Sequence, residues 1–324
     1  MYPYVTFAKA IGILLVVAGH FTSVRYMPSE YIALKEWIFS FHMPLFMMLS
    51  GFLFQSSRAK AGGGKPFLFF PFLQKKFFRL MVPYLFLSVA IAALNFVLGH
   101  FIAVKTPVDA SYLVRMLYEN VGGSAVFLWF IYALFVIFVI VGLASCIRYG
   151  EWLIGVLGIV LYFFPISCSA FYISSVCTHL VYFWLGMMLF KGKGLLQWRT
   201  LVLATVLFII GYMLRLRFDA SVFSLITASA GSICVISLSF VLLERCRVGS
   251  LWMTIGKFSA YIYLLHMAGV YVVRLLFESI GIFTPVAYFA ALLVAIVVGV
   301  SFSIFVTKGL ICRSKCLLWL MGGK

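Results

Sequence analysis

The sequence predicts an all-α protein, a polytopic transmembrane bundle of about ten helices, and three observations predict it. Apolar residues make up 65% of the 324 residues and charged residues only 10%, where a soluble domain carries about 25% charged residues. The mean hydropathy is +1.15. Apolar runs of the roughly 20 residues that cross a bilayer core recur along the whole chain. No polar connection is long enough to fold by itself, so residues 1–324 read as a single transmembrane domain.

Ten runs can be placed, at 4–24, 33–54, 80–103, 124–146, 152–166, 170–190, 198–216, 221–243, 253–276 and 284–307. The first has neither the basic n-region nor the small-residue cleavage site of a signal peptide and is expected to be retained. In the second, Pro44 removes one helical hydrogen bond and crowds the carbonyl of Ser40, which predicts a kink. Ser50-Gly51 in the same run allows close helix approach. The fifth run is short and Pro165 ends it. "AGGGKP" (Ala61–Pro66) reads as a flexible connector, since it lacks the spacing of a phosphate loop and follows no strand.

Loop charge sets the expected orientation. With Lys9 set aside, seventeen of the 25 Lys and Arg follow even-numbered runs and seven lie on the opposite side. The first group runs from Arg58 through Lys65, Arg148, Lys193, Arg247 and Lys308 to Lys324. The second is Arg25, Lys35, Lys105, Arg115, Arg215, Arg217 and Arg274. The positive-inside rule then makes both termini cytoplasmic. The same rule accounts for the net charge of +17 without nucleic acid, for which no basic stripe with polar aromatics exists. Anionic lipid is the expected partner of these loops.

The seven cysteines suggest no site. Five are scattered in apolar runs, and Cys312 and Cys316 have no second ligand pair nearby, so no metal is expected. Eight acidic residues are few, and Asp109, Glu119, Asp219 and Glu278 fall at predicted outer loops or helix ends. That argues against a carboxylate-driven pump or cation-coupled transporter.

What remains is histidine, tyrosine and cation. Lys9 and His20 sit in an apolar run, where a charge at the bilayer centre costs roughly 2.5–3.5 kcal/mol. Eleven helical residues advance about 1100°, some 20° past three turns, with a rise of about 16 Å, so the two share a face. An imidazole with an ordinary pKa of about 6.5 can take a proton from a hydroxyl at neutral pH. The plain alternatives are a packed histidine and a lysine that snorkels to the interface. Pro44 should leave carbonyls free beside His42, which suits a pocket lined by irregular backbone. Lys75, Lys76 and Arg79 crowd the start of the third run, either as a lipid anchor or as phosphate ligands, with Arg79 able to bind in bidentate fashion. Ser259, Tyr263 and His266 fall at i, i+4 and i+7, a polar stripe that is either a packing seam or a pocket wall.

In order and spacing these pieces resemble the bacterial integral-membrane acyltransferase 3 family over nearly the whole chain. "KAIGILLVVAGH" is similar to its opening helix, with a basic residue before a Gly-His pair. "FHMPLFMMLSGFLF" is similar to its second-span signature, and "KKFFRLMVPYLF" to its basic approach to the third span. "LWFIYALF" and "FSAYIYLLH" are similar to two later segments. The resemblance implies transfer of an acyl group, usually acetyl from acetyl-CoA, to a hydroxyl of a cell-envelope polysaccharide or glycolipid in the inner membrane. It implies that Lys9 and His20 both matter. Lys9 stands where many members have Arg, and Lys76 replaces the first Arg of an Arg-x-x-Arg pair, which keeps charge and loses a bidentate fork.

The expected mechanism has CoA phosphates at Lys75, Lys76 and Arg79 and the pantetheine arm passing Lys9. His20 either deprotonates the acceptor or carries the acetyl group itself, while His42, Tyr263 or His266 steadies the oxyanion. No esterase-like domain follows the last run, so this chain is expected to finish the transfer or hand the group to another protein. A transporter or flippase for a lipid-linked sugar or organic anion is the alternative, although no inverted repeat is visible. A non-catalytic export partner is the third reading.

Overall fold

The computed structural model describes residues 2–62, 67–99, 115, 118, 126–168, 170–218, 220–246 and 249–323. The rest of the Gly-rich connector, the ends of the third and fourth runs that face each other, and Lys65, Lys105, Asp109, Glu119, Asp219, Arg247 and Lys324 lie outside the described residues.

Every predicted run contains a helix among the described residues. The helices are α1 (Pro3–Gly19), α2 (Ser29–Phe39), α3 (His42–Lys60), α4 (Phe69–Lys76), α5 (Val82–Gly99), α6 (Trp129–Ala144), α7 (Gly150–Phe163), α8 (Ile173–Lys191), α9 (Trp198–Arg217), α10 (Ser221–Arg245), α11 (Ser250–Ile280), α12 (Pro285–Gly309) and α13 (Lys315–Leu320). Seven helical segments among the described residues are long and apolar enough to cross a membrane, and α1, α6 and α7 are shorter apolar helices. The protein is an all-α, multi-pass membrane protein.

Three local features follow from the sequence. The second run breaks at Ser40–Phe41, between α2 and α3, which is where the missing N–H of Pro44 withdraws a partner from the Ser40 carbonyl. Helix α7 stops at Phe163, two residues before Pro165, because the residue before a proline avoids helical geometry. The third run starts earlier than expected: α4 passes through a π-helical turn, Phe77–Met81, into α5. Pro83 explains the widened turn, since it cannot donate to the carbonyl of Arg79.

The chain forms two compact units, one of residues 1–50 and 189–310, the other of residues 51–188 and 311–324. In the first unit α1 is the central helix and packs on α10, α11 and α12. It is apolar nearly all round, the pattern of a helix buried within a bundle, and twelve of its seventeen residues are buried. Gly256 permits the closest approach, since a Cβ there would lie 1.9 Å from the Thr6 carbonyl oxygen.

In the second unit Gly51 does the same for α3 and α8, with a Cβ position 1.9 Å from the carbonyl oxygen of Phe183. Phenylalanines fill its core: Phe54, Phe72, Phe138 and Phe183 make ring contacts with centroids 5.3–6.3 Å apart.

Candidate functional site

The site of the first unit is built around the end of α1. The helix terminates at Gly19, not within the run to residue 24 that the sequence suggested, and His20 is the residue that terminates it. Its side chain turns back so that Nδ1–H donates to the Val16 carbonyl at 2.7 Å. A carbonyl can only accept, so in the neutral ring Nε2 carries the lone pair. His20 thus caps its own helix and presents a basic nitrogen beyond it.

The other carbonyls at this helix end are also claimed. Tyr31 Oη donates to Ala18 at 2.9 Å and Tyr288 Oη donates to Phe21 at 2.7 Å. The two tyrosine rings lie 4.9 Å apart and both are fully buried. Glu278, in the last turn of α11, accepts from Ser23 Oγ at 2.8 Å and from the Val24 backbone N–H at 2.9 Å. Arg25 donates to the Glu278 carbonyl at 3.0 Å. Orphaned backbone groups in an apolar setting cost several kcal/mol each, and here Tyr31 and Tyr288 bring two buried hydroxyl donors to carbonyls beside one histidine. Sequence reading named neither Tyr31 nor Tyr288 and passed over Glu278 as a loop-end acid. The only available signal was polar residues at helix ends, which is common and unspecific.

His266 stands against His20. The rings meet edge to face at 5.2 Å, and His266 is completely buried on α11, with Nδ1 donating to the carbonyls of Ile262 and Tyr263 at 3.0 and 2.9 Å. Tyr263 follows at 6.3 Å from the His266 ring. His42, at the start of α3, is buried and donates Nδ1–H to the Ile38 carbonyl at 3.0 Å, one of the carbonyls near the Pro44 break. Phe39 stands between the two imidazoles, 4.7 Å from His42 and 6.1 Å from His20. Lys35 lies over the same Phe39 ring at 5.3 Å.

Helices α1 and α11 run in the same direction, because Thr6 meets Gly256 near their starts and His20 meets His266 further on. Half-buried Lys9 and buried Ser259 both fall in the stretch between those contacts. The structure therefore sets His20 and His42 against Phe39, His266 against His20 and Tyr263 beside His266, with Lys9 and Ser259 along the same helices toward their starts.

The cations of the second unit are of two kinds. Lys75 and Arg79 are exposed. Lys76 is folded onto aromatic faces instead, with Nζ 3.7 Å from the Phe138 centroid and 5.5 Å from that of Phe72. Arg79 lies in the π-helical turn, against which the end of α13 packs: Trp319 meets Phe78 at 5.7 Å, and a Cβ on Gly322 would lie 2.6 Å from the Arg79 carbonyl oxygen. The second unit also contains His179 on α8, a residue the sequence reading did not single out. Its Nδ1–H donates to the Ser175 carbonyl at 2.8 Å, and its ring lies 5.2 Å from Trp129. Beside it, Phe171 and Tyr172 both have φ of 55°, a left-handed conformation that costs a bulky L-residue roughly 1–2 kcal/mol.

Among the described residues no three His, Cys, Asp or Glu side chains group as a metal site. The fold defines a multi-pass helical membrane protein in which three imidazoles collect near the end of one central helix. The profile of the acyltransferase 3 family, described as an acyltransferase domain, matches residues 2–305. The chain belongs to that family and is a membrane acyltransferase. No curated protein and no solved structure matches it.

Proposed function

We propose that the protein is an O-acetyltransferase that moves acetyl from acetyl-CoA to a hydroxyl of a cell-envelope polysaccharide or glycolipid. The observation that carries this reading is the His20–His266 pair, in which each Nδ1–H is committed to a carbonyl of its own helix. His20 Nε2 takes the proton of the acceptor hydroxyl. The oxygen attacks the thioester carbonyl, the C–S bond breaks as the C–O ester bond forms, and the proton passes to the CoA thiolate. Tyr263, whose hydroxyl can donate, is assigned to the oxyanion. His266 and His42, whose Nδ1–H groups are bound to backbone carbonyls, are assigned to accept from hydroxyls of the acceptor rather than to the oxyanion, with Ser259 as part of the same pocket wall. Lys9 is assigned to the donor arm, and Lys75, Lys76 and Arg79 to the CoA phosphates. Of these three, exposed Lys75 and Arg79 suit a phosphate best.

The bias of basic loops supports a bacterial inner-membrane location with both termini cytoplasmic, residues 1–324 acting as one acyltransferase domain. The test uses purified protein and radiolabelled acetyl-CoA. Label should move to water slowly and to an envelope glycan fraction faster, and His20→Ala should remove both while the protein stays monodisperse. Full turnover by His20→Ala would refute the assignment, and absence of acetyl-CoA turnover by the wild type would refute the donor.

A further inference from the structure

We propose that the second unit holds a binding site for a neutral pyranose ring, formed by Trp129 of α6 and His179 of α8, with Tyr182 beside them. The inference rests on the acetyltransferase reading only in taking this sugar as part of the acceptor.

His179 is an ionisable residue within an apolar helix, which by default points to a function. Its Nδ1–H is bound by the Ser175 carbonyl at 2.8 Å and by Thr178 Oγ1 at 2.9 Å. The Thr178 hydroxyl donates onward to the carbonyls of Ser174 and Ser175, at 3.2 and 3.1 Å. With Nδ1 as donor, Nε2 of the neutral ring can only accept. No described residue donates to Nε2: the remaining contacts of the imidazole are the rings of Trp129 at 5.2 Å and Tyr182 at 6.1 Å. A lone acceptor beside a half-buried indole ring, tilted 56° to the imidazole, suits a ligand that brings a hydroxyl donor and a flat apolar surface together. A pyranose has both.

Charge decides against the other ligand classes. No cation or carboxylate contacts His179 among the described residues, so neither a CoA phosphate nor an anionic headgroup has a counter-ion there. The neighbouring backbone supplies an independent sign. Phe171 and Tyr172, just before α8, are successive left-handed residues, and strain of this kind collects at ligand sites. It sets buried Tyr172 5.1 Å from Tyr132, which lies one turn after Trp129 and 5.3 Å from Tyr84.

The experiment is saturation-transfer-difference NMR on the protein in nanodiscs free of glycosidic detergent, with methyl β-D-glucopyranoside and methyl N-acetyl-β-D-glucosaminide as probes. Ring-proton signals should appear and saturate with at least one probe. His179→Ala should weaken binding about two- to tenfold, the value of one lost hydrogen bond. His179→Gln, whose amide oxygen can replace Nε2, should recover part of it, and this variant carries the test if the alanine variant does not fold. Trp129→Ala should lose the signal and Trp129→Phe should keep some. Absence of sugar signals in the wild type, or equal signals in wild type, Trp129→Ala and His179→Ala, overturns the proposal. Acetyl-CoA hydrolysis is measured separately on the same wild-type sample. Sugar binding without hydrolysis upholds the site while removing the acetyl-transfer reading, and hydrolysis without sugar binding does the reverse.

Discussion

Glu278 accepts two hydrogen bonds from the chain just beyond His20, from Ser23 Oγ at 2.8 Å and from Val24 N–H at 2.9 Å. An acid 255 residues away in sequence from Ser23 thus anchors the segment that follows the candidate base. Glu278→Ala should lower thermal stability by about 1 kcal/mol, less than the roughly 1.5–3 kcal/mol of a buried hydrogen bond to a charged group, because the contact to Val24 is exposed. Because the effect passes through the position of His20, kcat should fall while the donor KM changes little. Ser23→Ala should show a smaller loss of the same kind. An unchanged kcat in Glu278→Ala would separate this anchor from catalysis.

Replacing His20 should lower acyl transfer by a factor of about 10²–10⁴, the usual contribution of a positioned general base. His266→Ala should reduce kcat less and leave the donor KM in place, since His266 touches His20 itself, ring to ring at 5.2 Å. Steady-state kinetics on both single variants and the double variant checks this. If the two act as a unit, the double variant loses no more than His20→Ala alone.

Tyr31→Phe and Tyr288→Phe each strip a buried donor from a helix-end carbonyl, those of Ala18 and Phe21. Tyr288→Phe should cost about 1–3 kcal/mol because the Phe21 carbonyl loses its donor, and Tyr31→Phe less, because the Ala18 carbonyl also accepts from the Phe21 N–H. With the rings 4.9 Å apart, the two losses should not add, and a double-mutant cycle on thermal unfolding in nanodiscs measures the coupling.

Gly256→Leu should push α11 away from α1, since even a Cβ there would lie 1.9 Å from the Thr6 carbonyl oxygen. Backbone cannot yield as a flexible side chain can, so the variant should unfold at lower temperature and lose acyl transfer together. Gly249→Ala is the control, because a Cβ at Gly249 meets nothing within 4 Å.

The basic residues of the second unit should divide by function. Arg79→Ala should raise the donor KM roughly ten- to a hundredfold, the value of one charge-assisted contact of about 1.5–3 kcal/mol, and leave the acceptor KM unchanged. Dephospho-CoA donors should lose less if Arg79 holds the 3′-phosphate. Lys76→Ala should instead lower stability by about 1–2 kcal/mol, since its ammonium lies 3.7 Å from the Phe138 centroid. A normal donor KM in Arg79→Ala with altered membrane insertion would return these residues to a lipid-anchor role.

Much of this protein was legible in the residues themselves. Ten helical runs, the break set by Pro44, the stop before Pro165 and the close approach at Gly51 are consequences of apolar length, a missing N–H and a missing Cβ, all of which act over a few residues. Helical spacing likewise predicts one shared face for His20 and Lys9, whereas in the structure His20 stands just past the last residue of α1. Which side chains meet that face was decided by tertiary structure alone. His266, Tyr288 and Glu278 reach the end of α1 only because α1 is packed among α10, α11 and α12, and the spacing that brings them there is set by close helix contacts far away in sequence. The same holds for Lys76 and His179. Their types were visible in the chain, but a cation becomes an aromatic clamp, and an imidazole a lone acceptor beside an indole, only when helices from distant parts of the sequence are laid side by side.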